Sequence, residues 1–233
     1  MGRRARARPG GSKPLIEIVD RGVARIRLPK PAAHVYVLLG ERPALVDAGL
    51  PESGVAVRDG LRALGVLPDE VALVLLTHEH ADHAGGAQAF PNALLAAHPL
   101  AAAKLRHGDG RATHARGARE PEIELYDRSL VHAGGLALRV LHTPGHTSGS
   151  VCLYEESHGL LFTGDTAFAR GTLTDVFESG SRGDHLASLQ RLLALPVRLL
   201  LPGHGHVSED PRGDLTLALE AARETLPGRA GSG

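Results

Sequence analysis

The sequence predicts an α/β protein built from two similar halves, each a run of strands followed by helices. Three observations carry this. Short β-branched or wholly apolar runs bounded by Gly and Pro recur along the chain, helical spacing intervenes between some of them, and the order of strands then helix occurs once in each half. At 233 residues and 42% hydrophobic content, the chain can bury a full core without disulfides or structural metal.

In the first half, "LIEIV", "VARIRL", "HVYVLLG" and "PALVDAG" read as strands between residues 15 and 49. Residues 53–64 place Val55, Val57, Leu61 and Leu64 at helical spacing, closed by Gly65. "VALVLLT" follows as a strand apolar on both faces. A weak helix runs through Phe90, then a strand "ALLAA" and a helix from Pro99 to about Arg106. Residues 107–122 are rich in Gly and charge and read as a loop or lid. The second half gives strands "LALRVLHT", "GSVCLYE" and "GLLFTG", a helix Asp184–Leu195, the strand "VRLLLPG" and a last helix near Asp214–Thr225. The expected organisation is a basic disordered tail over 1–14, one domain over 15–226 and a frayed end over 227–233.

Composition narrows the function classes. There are 26 basic and 26 acidic residues, so no global field favours nucleic acid or a membrane surface. Three Tyr, four Phe and no Trp leave little aromatic surface for stacking bases, so a nucleic-acid partner is not expected. No run approaches the roughly 18 apolar residues of a membrane span, and the Arg-rich start lacks a signal peptide's apolar segment, so a cytoplasmic protein is expected. The single cysteine, Cys152, lies in a strand and reads as a small buried side chain.

The chemistry gathers in "THEHADHAGG", residues 77–86, at the mouth of the strand "VALVLLT". His78 and His80 are two apart, so they share a face only on extended backbone. Asp82 and His83 follow where the chain turns into a helix and diverge enough to serve a second ion. Other ligand types stand at strand ends beside glycines: His146 in "TPGHTSGS", Asp165 in "FTGDT" and His204 in "LPGHG". Nitrogen and carboxylate donors without thiolate suit two zinc ions, with iron or manganese as alternatives. His78, His80 and His146 are assigned to one metal, Asp82, His83 and His204 to the other, and Asp165 to a bridge between them. His98, His107, His114, His132, His158, His185 and His206 lack ligand spacing and read as ordinary histidines, while His142 is a candidate for supporting the ligand loop.

These four motifs, with "ALVDAG" before them, resemble the five ordered motifs of the metallo-β-lactamase fold superfamily over residues 44–206. The resemblance implies a four-layer αββα sandwich, two mixed sheets face to face with helices outside and the metal centre at one edge. It also implies that Asp47 supports the metal loop from behind the ligands. The expected activity is that of a binuclear metallo-hydrolase of a small molecule, in which hydroxide bridging the metals cleaves an ester, thioester or related bond and Asp82 and Asp165 are catalytic. "FTGDT" resembles type II glyoxalases, although their glutathione-binding helical extension has no room here, and "PGHG" resembles the β-lactamase-like endoribonuclease branch. Alternatives within the fold are a mononuclear iron persulfide dioxygenase-like oxidoreductase and a phosphodiesterase or ribonuclease. Quorum-signal lactonases carry a tyrosine shortly after the bridging aspartate, where this chain has Thr166, Ala167 and Phe168. The 107–122 loop, the stretch Phe168 to Phe177, His34 and Tyr36 are expected around the substrate.

Overall fold

The computed structural model describes residues 15–107, 119–177 and 179–225. The expectations placed on the 1–14 tail, the 227–233 end, His114 and most of the 107–122 loop lie outside the described residues.

Among the described residues, the first half forms one sheet of seven strands in sequence order: β1 (Leu15–Asp20), β2 (Val23–Arg27), β3 (Val35–Leu38), β4 (Ala44–Val46), β5 (Leu73–Leu75), β6 (Leu94–Ala97) and β7 (Ile123–Glu124). The second half forms a sheet of five, ordered β12 (Leu199–Pro202), β11 (Leu160–Gly164), β10 (Val151–Glu155), β9 (Leu136–His142) and β8 (Leu130–Ala133). Both sheets are mixed. Strands β1 to β4 pair antiparallel and β4 to β7 parallel, while β11 and β12 form the one parallel pair described in the second sheet. Parallel neighbours need a crossover; α1 (Gly54–Ala63) supplies it between β4 and β5, and α4 (Arg182–Leu193) between β11 and β12.

Three separate apolar clusters show how the layers stack. One packs α1 and α3 (Pro99–His107) on the outer face of the first sheet through Val57, Leu61, Ala101 and Leu105. The second lies between the sheets, with Tyr36, Val46, Val140, Leu153, Phe162 and Leu201. The third packs α4 and α5 (Pro211–Glu224) on the second sheet through Leu189, Leu192, Leu215 and Leu219. Three interfaces separate four layers, which is the αββα sandwich. The period of 2 does the sorting: in β10, Val151 and Leu153 face the other sheet while Cys152 and Tyr154 face the helices.

Helix starts follow their caps. Ser181 Oγ accepts the Asp184 backbone N–H at 3.0 Å and begins α4 two residues before the expected Asp184. Asp210 caps α5 with Pro211 at its first position, three residues before the expected start. Sequence reading omits β7 and β8, which are short outer strands with largely exposed or half-buried side chains. Tyr36 is corrected from substrate contact to core: its hydroxyl donates to the Pro202 carbonyl at 2.8 Å, and its ring meets Phe162 edge-on at 5.3 Å between the sheets.

Replacing the fully buried Phe162 with alanine removes the centre of the inter-sheet cluster. Urea denaturation of Phe162→Ala is expected to show a loss of about 3–5 kcal/mol, whereas Leu94→Ala, at a side chain 47% exposed, shifts stability by less than about 1 kcal/mol.

Candidate metal centre

Parallel pairing brings the C-terminal ends of β4 and β5 to one edge, and those of β11 and β12 likewise. β9 runs in the same sense as β11, since each is antiparallel to β10. The residues that follow these five strands are Asp47, the Thr77–His83 segment, His146, Asp165 and His204. His80 is extended (φ −62°, ψ 146°) and begins the single helical turn α2 (Ala81–Ala84), which carries Asp82 and His83; the His83 ring nevertheless lies 4.1 Å from that of His78.

The seven predicted ligand side chains meet here. His80 Nδ1 lies 3.0 Å from His78 Nε2 and 3.0 Å from His146 Nε2. On the other side, Asp82 Oδ2 is 3.1 Å from His204 Nε2 and 3.8 Å from His83 Nε2. Asp165 stands between the two groups, with Oδ1 3.2 Å from His83 Nε2 and Oδ2 3.7 Å from both His146 Nε2 and His204 Nε2. Donors around a tetrahedral ion bound at roughly 2.0–2.1 Å stand roughly 3.3 Å apart, so these separations are those of donor sets closing on a cation. His78, His80 and His146 form one such group, Asp82, His83 and His204 another, and His78, His83 and Asp165 a third that joins them.

Charge balance supports the same reading. Burial pushes the His78 imidazole well below its ordinary pKa, takes His80 down to about 3 with help from His146, and lowers His146. Burial alone would raise the Asp165 carboxyl, but His83 outweighs it and holds the group ionised. Burial opposes a charge on His83 as well, yet the Asp165 and Asp47 carboxylates raise it well above the usual histidine range. Among the described residues, Asp47, Asp82 and Asp165 pair with no lysine or arginine. His83 Nε2 and Asp165 Oδ1 are buried without a hydrogen-bond partner, the condition that a coordinated cation relieves.

Behind the donors, Asp47 accepts the Thr77 backbone N–H at 2.8 Å, the Thr77 hydroxyl at 2.9 Å and His83 Nδ1–H at 2.8 Å. With Nδ1 donating to Asp47, Nε2 is the ring atom that faces Asp165. His146 Nδ1 donates in the same way to the Asp175 carbonyl at 2.7 Å, which leaves its Nε2 free toward His80. Of the remaining predicted residues, His142 donates to the Ser148 carbonyl and stacks on His98 at 4.1 Å, so it props the His146 loop rather than the donors. His185 is buried and holds the Thr166 carbonyl at 2.7 Å. Phe177 lies edge-on to His80 at 4.6 Å and to His146 at 5.1 Å, Phe168 flanks His204 at 6.4 Å, and His34 donates to the Gly205 carbonyl at 3.1 Å.

Sequence reading missed Glu79 and Lys104. Glu79 is wholly buried, accepting from Lys104 Nζ at 2.5 Å and from the Thr147 hydroxyl at 3.0 Å. Lys104, on α3, also donates to Ser148 Oγ at 2.9 Å and Ser179 Oγ at 2.6 Å. One ion pair therefore ties the ligand segment to the His146 loop, to α3 and to the stretch after Phe177. The available signal was the alternation in "HEH", which sends the middle side chain to the face opposite the two histidines.

A family model described as the metallo-beta-lactamase superfamily matches residues 29–204. The chain belongs to that superfamily. An acyl-coenzyme A thioesterase, MBLAC2, from Gallus gallus is 32% identical over 204 residues, covering 74% of this chain and 72% of the relative. A hydroxyacylglutathione hydrolase from Anaeromyxobacter dehalogenans is 42% identical over 139 residues, 59% of this chain and 47% of the hydrolase, so that match spans about half the relative's length. In fold, a metallo-beta-lactamase family protein from Thermus thermophilus superposes with a TM-score of 0.76 at 24% identity, covering 89% of this chain and 81% of its own.

Two outcomes follow from the packing. Lys104→Met leaves the buried Glu79 carboxylate unpaired and is expected to cost about 3–5 kcal/mol in urea denaturation, with much of the loss recovered in the Lys104→Met/Glu79→Gln double variant. Burial pushes the Cys152 thiol up to about 11, so Ellman's reagent at pH 8 is expected to label it only as fast as the protein unfolds.

Proposed function

We propose that the protein is a zinc-dependent hydrolase of small-molecule thioesters that works with two metal ions in one site. The observation that carries this is the presence of two donor groups with Asp165 between them, 3.2 Å from His83 and 3.7 Å from both His146 and His204. His78, His80 and His146 would hold one ion and Asp82, His83 and His204 the other, with the Asp165 carboxylate available to both. The donors fit zinc, being imidazole and carboxylate with no thiolate. When bound, the metals supply an activated water and polarise the acyl carbonyl.

The chain's own residues do the rest. Asp82, at the more open side of the cluster with its side chain 26% exposed, orients the attacking water and takes up its proton. Asp165 keeps the two halves in register. Asp47 fixes the His83 tautomer through the Nδ1–H bond, and Phe177 covers His80 and His146 and keeps bulk water from that side. A thiolate suits this arrangement as leaving group: a thiol has a pKa of about 8.5, so it departs without a proton donor. The similarity to an acyl-coenzyme A thioesterase and to a hydroxyacylglutathione hydrolase supports the same substrate class.

Protein purified without added metal is expected to contain close to two zinc ions per chain by elemental analysis. It should hydrolyse acyl-CoA or S-acylglutathione in preference to a lactone or a phosphodiester, with activity falling to background in His78→Ala and Asp165→Ala. Asp47→Asn is expected to weaken metal affinity about 10- to 100-fold, read by competition with a chromophoric chelator. A single iron per chain with oxygen consumption on a persulfide would contradict the proposal.

A further inference from the structure

Beyond the cluster, the same edge carries an open cavity of about 360 Å³ lined by Lys30, Phe168, Arg170, Thr172, His204 and His206. It is built by three loops, those that follow β2, β11 and β12. His204 belongs both to this lining and to the Asp82–His83–His204 donor set, so the cavity begins where the cluster ends.

Its chemistry is one-sided. No carboxylate lines it, and none of the ion pairs among the described residues includes Lys30 or Arg170. His206 and Thr172 add polar groups on the same rim. Phe168 supplies an apolar wall on the side of His204.

The arginine stands on a fixed support. Arg170 is in the left-handed region (φ 64°, ψ 25°), a conformation costly for a residue with a Cβ. It is held there by its backbone N–H, which donates to Asp214 Oδ1 at 2.7 Å. Gly171 then packs on α5 so closely that a Cβ would lie 2.3 Å from Leu217 Cβ. Asp214 and Leu217 thus hold the Arg170–Gly171 backbone against α5, and Arg170 lines the cavity from that turn; a guanidinium is suited to fork onto an oxyanion.

We propose that this cavity receives an oxyanion, a phosphate or a carboxylate, carried on the leaving-group arm of the thioester. The assignment rests on the thioesterase reading for the identity of the arm, and on Lys30, Arg170 and Phe168 for the anion and the methylenes that lead to it. The cavity then sets specificity: an arm with a terminal oxyanion is held beside His204, and a neutral arm is not.

Calorimetric titration of the zinc-loaded protein with S-methyl-coenzyme A, S-methylglutathione and S-methylpantetheine tests this without hydrolysis and without a thiolate to bind metal. At least one anionic ligand is expected to bind about tenfold or more tightly than the neutral S-methylpantetheine. That ratio should collapse toward one in the Lys30→Ala/Arg170→Ala double variant, be partly kept in Arg170→Lys, and shrink as salt is raised. Preference for the coenzyme A analogue identifies phosphate as the anion, and preference for the glutathione analogue identifies carboxylate. Equal binding of all three ligands, no binding of any, or a ratio unchanged in the double variant would overturn the proposal. If the anionic preference holds while no thioester is hydrolysed, the anion site stands and the thioesterase reading falls; hydrolysis without preference has the opposite meaning.

Discussion

Two carboxylates, Asp47 buried and Asp165 with its side chain 11% exposed, stand at one edge of the sandwich among five imidazoles, and the site depends on how they are balanced. Asp47 is satisfied within the protein, by two donors from Thr77 and one from His83. Asp165 is not: its neighbours are imidazoles, and Oδ1 has no hydrogen-bond donor. A buried carboxylate left in this state is costly unless a cation completes it.

Packing leaves little slack at this edge. A Cβ at Gly203 would lie 2.5 Å from His83 Cε1 and 2.8 Å from Asp165 Oδ1, so the β12 end passes the cluster with room for hydrogen only. Gly164, in the left-handed region at φ 49°, packs the same way against the Thr77 side chain. The Glu79–Lys104 pair then clamps the ligand segment from its far side to α3 and to the His146 loop. Donor atoms are therefore placed by strands and buried hydrogen bonds. The cavity beside His204, by contrast, is made of loops, where side chains can differ between relatives without disturbing the cluster.

The donor set was legible in the sequence because its spacing is local. Two histidines at i and i+2, then an aspartate and a histidine on a new helical turn, leave few backbone paths, and each distant partner stood after a strand beside a glycine. The layers were legible from the alternation in strands such as Val151–Glu155. Other features depend on tertiary context. Ile123–Glu124 and Leu130–Ala133 are short outer strands whose polar faces look like loop. Tyr36 was misplaced because an aromatic at a sheet edge and one between two sheets have the same local sequence; only the Pro202 carbonyl distinguishes them. Lys104 reads as a solvated helix cation until the fold brings it to Glu79.

The most direct measurement is anomalous diffraction from a crystal of the protein, recorded on both sides of the zinc absorption edge. Two zinc peaks are predicted, one among His78 Nε2, His80 Nδ1 and His146 Nε2, the other among Asp82, His83 Nε2 and His204 Nε2, with an Asp165 oxygen facing each. A single peak confined to the three-histidine set, or no peak with Asp165 turned to a protein donor, would contradict the account.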